Sequence, residues 1–122
     1  MIFVLIVLKR IYDEIEPDDG KRILVDRLWP RGVKKDAAKI DDWIKEIAPS
    51  DDLRKWYGHN PAKWNQFKEK YWKELENQQE PLSKLAKDCR EGKVALLYST
   101  KKRQYNNAAA LKEYLETKLK LC

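Results

Sequence analysis

The sequence predicts a small α/β domain, with a mostly parallel sheet of about three strands flanked by about five helices. Three observations carry that expectation. The chain starts with a β-branched apolar run, MIFVLIVL, and has a second continuous apolar run, KVALLYS, at residues 93–99. Between them lies a long stretch whose apolar residues recur at helical rather than alternating spacing. A helical run between two strands of one sheet favours parallel pairing through a right-handed crossover. At 122 residues, with no repeat, low-complexity segment or long linker, the chain reads as one domain over 1–122. Five Trp, six Tyr and two Phe supply large apolar pieces for its core.

The opening run has no basic residue ahead of it, leads directly into Lys9-Arg10 and offers no small-residue cleavage site. It is too short to cross a bilayer. It is therefore expected to be a buried first strand from Ile2 to about Tyr12, in a cytoplasmic protein with no membrane partner. Residues 13–20 carry Pro17 and the turn signal Asp18-Asp19-Gly20. A second strand is predicted from Arg22 to Leu28. Trp29-Pro30-Arg31-Gly32 ends it, because proline has no ladder donor and glycine admits unusual dihedrals.

Four helices are predicted next. Ile40, Trp43, Ile44 and Ile47 share one helical face, and Pro49 stops that helix. Ser50 caps a short helix through Trp56, with Asp51 and Asp52 in its first turn opposite the positive end of the helix dipole. Asn60-Pro61 opens a third, a cap followed by proline at the first helical position. Its buried face is Trp64, Phe67, Tyr71 and Leu75, and Glu69–Lys73 and Lys70–Glu74 are spaced for ion pairing. The fourth runs from about Pro81 to Arg90 and stops at Gly92. Lys93 to Ser99 then forms a strand apolar on both faces, as in the centre of a parallel sheet. The last helix is expected from Asn106 to Lys120.

The formal charge is +6, from 26 bases and 20 acids. An excess of that sign raises the encounter rate with polyanions, although mixed Lys/Glu helix faces account for most of it. The two cysteines, Cys89 and Cys122, point to a reducing compartment. Two cysteines and one histidine are a poor zinc set, so no structural metal is expected. With no phosphate-cradling or dinucleotide fingerprint in the sequence, no cofactor is expected either.

Three stretches can carry chemistry. In Val25-Asp26-Arg27-Leu28-Trp29-Pro30-Arg31-Gly32, two arginines flank a turn at a strand's carboxyl end, where open α/β sheets bind ligands. Guanidinium groups grip carboxylate or phosphate through paired hydrogen bonds. The plainer reading pairs Arg27 with Asp26 or Asp13. The second stretch, Tyr98 to Asn107, joins the last strand to the last helix, with Ser99 and Asn106 placed to meet an anion. Lys101, Lys102 and Arg103 strengthen its field and are the candidates for nucleic-acid contact, while a solvated loop with Asn106 as an ordinary cap is the plainer account. The third, Leu53 to Pro61, holds His59, the one histidine and the candidate proton carrier. A structural turn residue is the commoner role for such a histidine. Cys89 falls on a core spacing and is expected to be inert.

The segments DGKRILVDRLWPRGVKKD, W-x-K-E-I-A-P-S and LRKWYGHNPAKWNQFKEKYWKEL resemble the YeaO-like family of small bacterial proteins over nearly the whole chain. The resemblance implies a compact, Rossmann-like α/β fold in a bacterial or archaeal cytoplasm. It brings no substrate, cofactor or catalytic residue. The family pattern has an acidic residue and a His-Asn pair after the last strand. Here Lys101 to Arg103 replace the acidic character and Tyr105 stands where histidine would, although Asn106 matches. If the family is enzymatic through that histidine, this member is altered.

The leading expectation is a site for a phosphate- or carboxylate-bearing small molecule between Arg27, Arg31 and the Ser99–Asn106 loop. A nucleic-acid-binding accessory protein and a protein-interaction module without catalysis are the alternatives. Enzymatic turnover stays open.

Overall fold

The computed structural model describes residues 4–121. Ile2 and Phe3, where the first strand was expected to begin, and Cys122 lie outside the described residues. Four strands, β1 (Ile6–Arg10), β2 (Lys21–Leu24), β3 (Asp42–Trp43) and β4 (Val94–Tyr98), form one sheet in the order β1-β4-β2-β3. All three pairings are parallel. The α-helices are α1 (Lys35–Ala38), α2 (Asp51–Tyr57), α3 (Trp64–Leu75), α4 (Gln79–Glu91) and α5 (Asn107–Thr117). The α/β class, the parallel sheet and the five helices match expectation. The fourth strand does not.

That strand comes from the segment expected to be the first helix. Ile40, Trp43, Ile44 and Ile47 were assigned to one helical face, but residues 42–43 pair with β2 and only Lys45–Ile47 form a 3-10 turn. The sheet's open hydrogen bonds decide the matter. Asp41 N donates to the Arg22 carbonyl at 2.8 Å and Ile44 N to that of Leu24 at 3.0 Å, pairing β2 groups that helix formation would leave bare. Extended backbone then sends Trp43 to one face of the sheet and Ile44 to the other. One-turn α1 falls in residues 33–39, for which the sequence predicts no element.

Alternation along each strand separates two cores. Ile6, Ile23, Val25, Val94, Leu96 and Tyr98 face the larger, which α2, α3, α4 and α5 complete with residues such as Phe67, Tyr71, Leu85 and Leu111. Leu24, Ala95 and Leu97 face the smaller, covered by Ile11, Ala38, Trp29, Val33 and Ile40. β4, buried at every position, lies between β1 and β2 as its unbroken apolar run predicted. Burying each such Leu or Val contributes roughly 1.5–3 kcal/mol. A buried charge cluster fastens the crossover from β1 to β2. Buried Asp19 accepts from Lys9 at 2.7 Å, Arg22 at 2.7 Å and the Glu16 amide at 3.1 Å. Next to it, Gly20 takes φ +75°, and a Cβ there would collide with the Lys93 carbonyl that receives the Lys21 amide.

The helix caps follow the sequence. Ser50 Oγ accepts the Leu53 amide and Asn60 Oδ1 the Ala62 amide. Neither ion pair expected on α3 occurs among the described residues, and the Lys70 and Glu74 side chains turn elsewhere. Glu74 instead accepts from both the backbone amide and the hydroxyl of Ser50, at 2.8 and 2.6 Å. Lys70 stands 5.2 Å over the Trp56 ring. Both groups satisfy tertiary partners that a surface pair, worth only a few tenths of a kcal/mol, does not outweigh.

Candidate anion-binding site

Because every strand is parallel, the ends of β2 and β4 emerge on the same edge of the sheet, and their following segments meet there. Val25 extends the pairing by one bond, its amide donating to the Leu97 carbonyl at 3.1 Å. The chain then leaves the sheet, three residues earlier than the alternation suggested, and opens a cavity of about 320 Å³. Its lining joins residues from five parts of the chain: Asp26 to Arg31, Ala48-Pro49, the Arg54–His59 turn, Phe67 of α3, and Ser99, Thr100 and Asn107.

Asp26 is the rivet of that junction. One carboxylate oxygen accepts the Ser99 amide at 2.9 Å and the Ser99 hydroxyl at 2.7 Å, and the other accepts the Asn107 side-chain amide at 3.0 Å. Its own carbonyl receives the Trp43 indole N–H at 2.7 Å. From the opposite side Arg10 donates to the Ser99 and Thr100 carbonyls, both at 2.9 Å. The loop after β4 is thereby fixed from both sides at Ser99 and Thr100. Ser99 spends its hydroxyl proton on Asp26 and keeps its oxygen lone pairs.

Arg27 and Arg31 play different parts. Arg27 pairs with neither Asp26 nor Asp13. Its Nε donates to the Pro49 carbonyl at 3.1 Å and a terminal nitrogen to that of Ala48 at 2.9 Å, which holds the turn before α2 against the end of β2. Arg31 is exposed at the cavity, and its side chain has no protein partner among the described residues; only its carbonyl is used, by the Tyr12 hydroxyl at 2.7 Å. Arg54 was not singled out from the sequence. It sits in the last turn of α2, reaches the same cavity and has only a 3.4 Å contact to exposed Asp51. Three guanidinium groups thus border a space whose single lining carboxylate, Asp26, already receives three donors.

His59 follows the left-handed Gly58 and itself has φ +56°, a conformation that turns its ring back toward the cavity and 6.1 Å from Tyr57. Partial burial lowers its pKa below the usual histidine value, and the charges of Lys102 and Arg54 push it the same way against the opposing pull of Asp26. The shift favours the neutral imidazole.

Asn106 is brought to the site's edge but not into it. It is fully buried, its oxygen capping α5 through the Ala109 amide at 2.8 Å and its nitrogen donating to the Lys102 carbonyl at 2.8 Å. The cavity is met by its neighbour Asn107, whose side-chain nitrogen bridges Asp26 and the Val25 carbonyl. Asn107 was missed because the cap signal drew attention one residue early. Of the basic cluster, Lys101 and Lys102 are exposed, while Arg103 forms a two-pronged pair with Asp13 at 2.8 and 3.0 Å. Tyr105 is held outside the cavity. Its carbonyl accepts from the Tyr57 hydroxyl at 2.6 Å and its ring meets Trp64 edge-on at 5.4 Å.

Cys89 is fully buried in α4, and burial pushes its thiol up to about 11, which opposes thiolate formation. No metal-binding group of three His, Cys, Asp or Glu occurs among the described residues. Among them, no helix is long and apolar enough to cross a membrane.

Comparison with known proteins adds the family. Residues 5–121 match the family described as "Inactive DUF488-N3 subclade", and the chain belongs to it. It is 42% identical to the uncharacterized protein YeaO of Escherichia coli over 109 residues, 89% of this chain and 95% of that protein. An uncharacterized protein of Mycobacterium tuberculosis is 39% identical over 106 residues, covering 87% of this chain and 89% of the relative. No solved structure matches significantly.

Proposed function

We propose that this member of the subclade binds an anionic small molecule, phosphate- or carboxylate-bearing, in the cavity at the carboxyl edge of its sheet. The carrying observation is a space bordered by Arg27, Arg31 and Arg54 whose one carboxylate is already saturated by Ser99 and Asn107. An anion entering there meets guanidinium donors, with Asp26 turned onto Ser99 and Asn107 and only exposed Asp51, 3.4 Å from Arg54, competing for them. Arg31 and Arg54 supply the grip, because Arg27 is largely committed to backbone carbonyls. The family description as inactive supports binding without turnover. So does Tyr105, which lacks the imidazole that the YeaO-like pattern places there and faces away from the cavity. His59 then acts as a neutral hydrogen-bonding group at the rim rather than as a proton carrier.

Calorimetry and thermal-shift measurements with phosphate, nucleotides and small carboxylates test the proposal. Wild type is expected to respond, and Arg31→Ala to lose about tenfold or more in affinity, the effect of removing one charged hydrogen-bonding pair. Silence from wild type, or an undiminished response in the variant, overturns it. The nucleic-acid alternative has less support, since Asp13 takes up Arg103 and leaves only Lys101 and Lys102 of the cluster. A salt-sensitive affinity for DNA or RNA, absent after Lys101→Ala with Lys102→Ala, would restore it.

A further inference from the structure

We propose that the anion held in this cavity carries a flat aromatic ring, so that the ligand class is an aromatic phosphate or aromatic carboxylate. This rests on the anion-site reading above and goes beyond it by specifying the uncharged part of the ligand.

Size is the first argument. A cavity of 320 Å³ holds about ten waters at ~30 Å³ each, far more room than a bare oxyanion fills. The surplus space is walled by carbon. Leu28, Trp29, Pro30, Pro49, Tyr57 and Phe67 all contribute to the lining, and an inorganic ion bound at the arginines would leave that surface wet.

Shape is the second. The aromatic walls are rigid plates. Tyr57 lies on Phe67 with ring centroids 4.2 Å apart and planes 17° from parallel. The Tyr57 hydroxyl is anchored on the Tyr105 carbonyl. Trp29 is braced by its N–H to the Val33 carbonyl at 2.7 Å and by the edge of Trp43 at 5.4 Å. Tyr57 and Phe67 are only 4% and 2% exposed and add little open surface, whereas half-buried Trp29 is a braced plate on which a flat partner stacks without an ordering cost on the protein side.

The rim is the third. Leu28 is 63% exposed, the most exposed large apolar side chain among the described residues, and it stands at the cavity mouth. A hydrophobe held out in water at the edge of a hollow gains its burial only when an apolar group occupies that hollow. The Asn107 side-chain oxygen, in the same lining, takes no protein donor among the described residues and is free to accept a ring N–H or hydroxyl.

The test compares matched probes on the full-length chain by calorimetry: phenyl phosphate, benzoate, adenosine 5′-monophosphate, cyclohexyl phosphate, ribose 5-phosphate, inorganic phosphate and adenosine. Ring-bearing anions are expected to bind at least about tenfold more tightly than ribose 5-phosphate or phosphate, and phenyl more tightly than cyclohexyl phosphate. The benzoate and phenyl phosphate arms tell a carboxylate from a phosphate ligand. Leu28→Ser, an exposed change that leaves folding intact, is expected to weaken the ring-bearing anions several-fold and to spare inorganic phosphate. Equal affinities for ringed and ringless anions, all weakened by Arg31→Ala, would remove the aromatic class and leave the anion site standing. Binding of neutral adenosine as tight as its monophosphate, or no binding of any anion, removes both.

Discussion

Two arginines four residues apart, alike in the sequence, have been given opposite duties by their surroundings. Arg27 meets the carbonyls of Ala48 and Pro49, which lie buried before α2 and have no other donor among the described residues. Arg31 meets solvent and the cavity. Removing Arg27 therefore strips charged donors from two buried acceptors, and Arg27→Ala is expected to cost about 1–3 kcal/mol of stability. Arg31→Ala leaves no buried group behind and is expected to stay within about 0.5 kcal/mol of wild type. Urea titration of the two variants decides between these duties. Equal losses would mean that Arg31 also serves the fold, and the case for keeping it free for a ligand would fail.

At the scale of the element, the last helix shows how capping positions the site. Asn106 closes the first turn of α5 and also holds the Lys102 carbonyl, so one side chain orders both the helix start and the loop that approaches it. Asn106→Ala is expected to lower stability by about 0.5–2 kcal/mol and to speed amide exchange at Ala109 and neighbouring loop amides. Protection unchanged at those amides would show that Asp26 and Arg10 alone fix the loop. Such caps were legible in the sequence, as were the unbroken central strand and the periodic faces of α3 and α4, because each depends on local or strongly periodic chemistry. β3 was not legible. The spacing of Ile40, Trp43, Ile44 and Ile47 fits a helix, and only the unpaired edge of β2, distant in sequence, gives the segment a reason to extend. The site divides in the same way. Its Arg-rich turn and the loop after β4 could be read from strand ends, whereas Arg54 and Asn107 join it through tertiary placement that no local pattern encodes.

At the scale of the whole molecule, the unusual feature is a crossover from β1 to β2 made without a helix. Residues 11–20 bridge two parallel strands on either side of β4, and buried charge does the fastening that helix packing does elsewhere. Burial by itself would raise the Asp19 pKa, but hydrogen bonds from Lys9, the Glu16 amide and Arg22 overcome it and hold the carboxyl at about 2, against 3.8 for a free aspartate. A carboxyl whose folded pKa lies below its unfolded one adds stability in full above pH ~4 and loses it as pH falls through ~2, here on the order of 2–3 kcal/mol. Unfolding midpoints in urea are therefore expected to drop between pH 4 and 2. Asp19→Asn is expected to begin lower, since Arg22 is buried beside it and loses its acid, and to show a shallower slope across that window. The same slope in both proteins would place the acid sensitivity elsewhere, with the exposed pairs such as Asp13–Arg103 the next groups to remove. A shallower slope in the variant would identify this fastening as what holds the short crossover on the sheet, and with it Arg10 and β1, from which the loop lining the cavity is held in place.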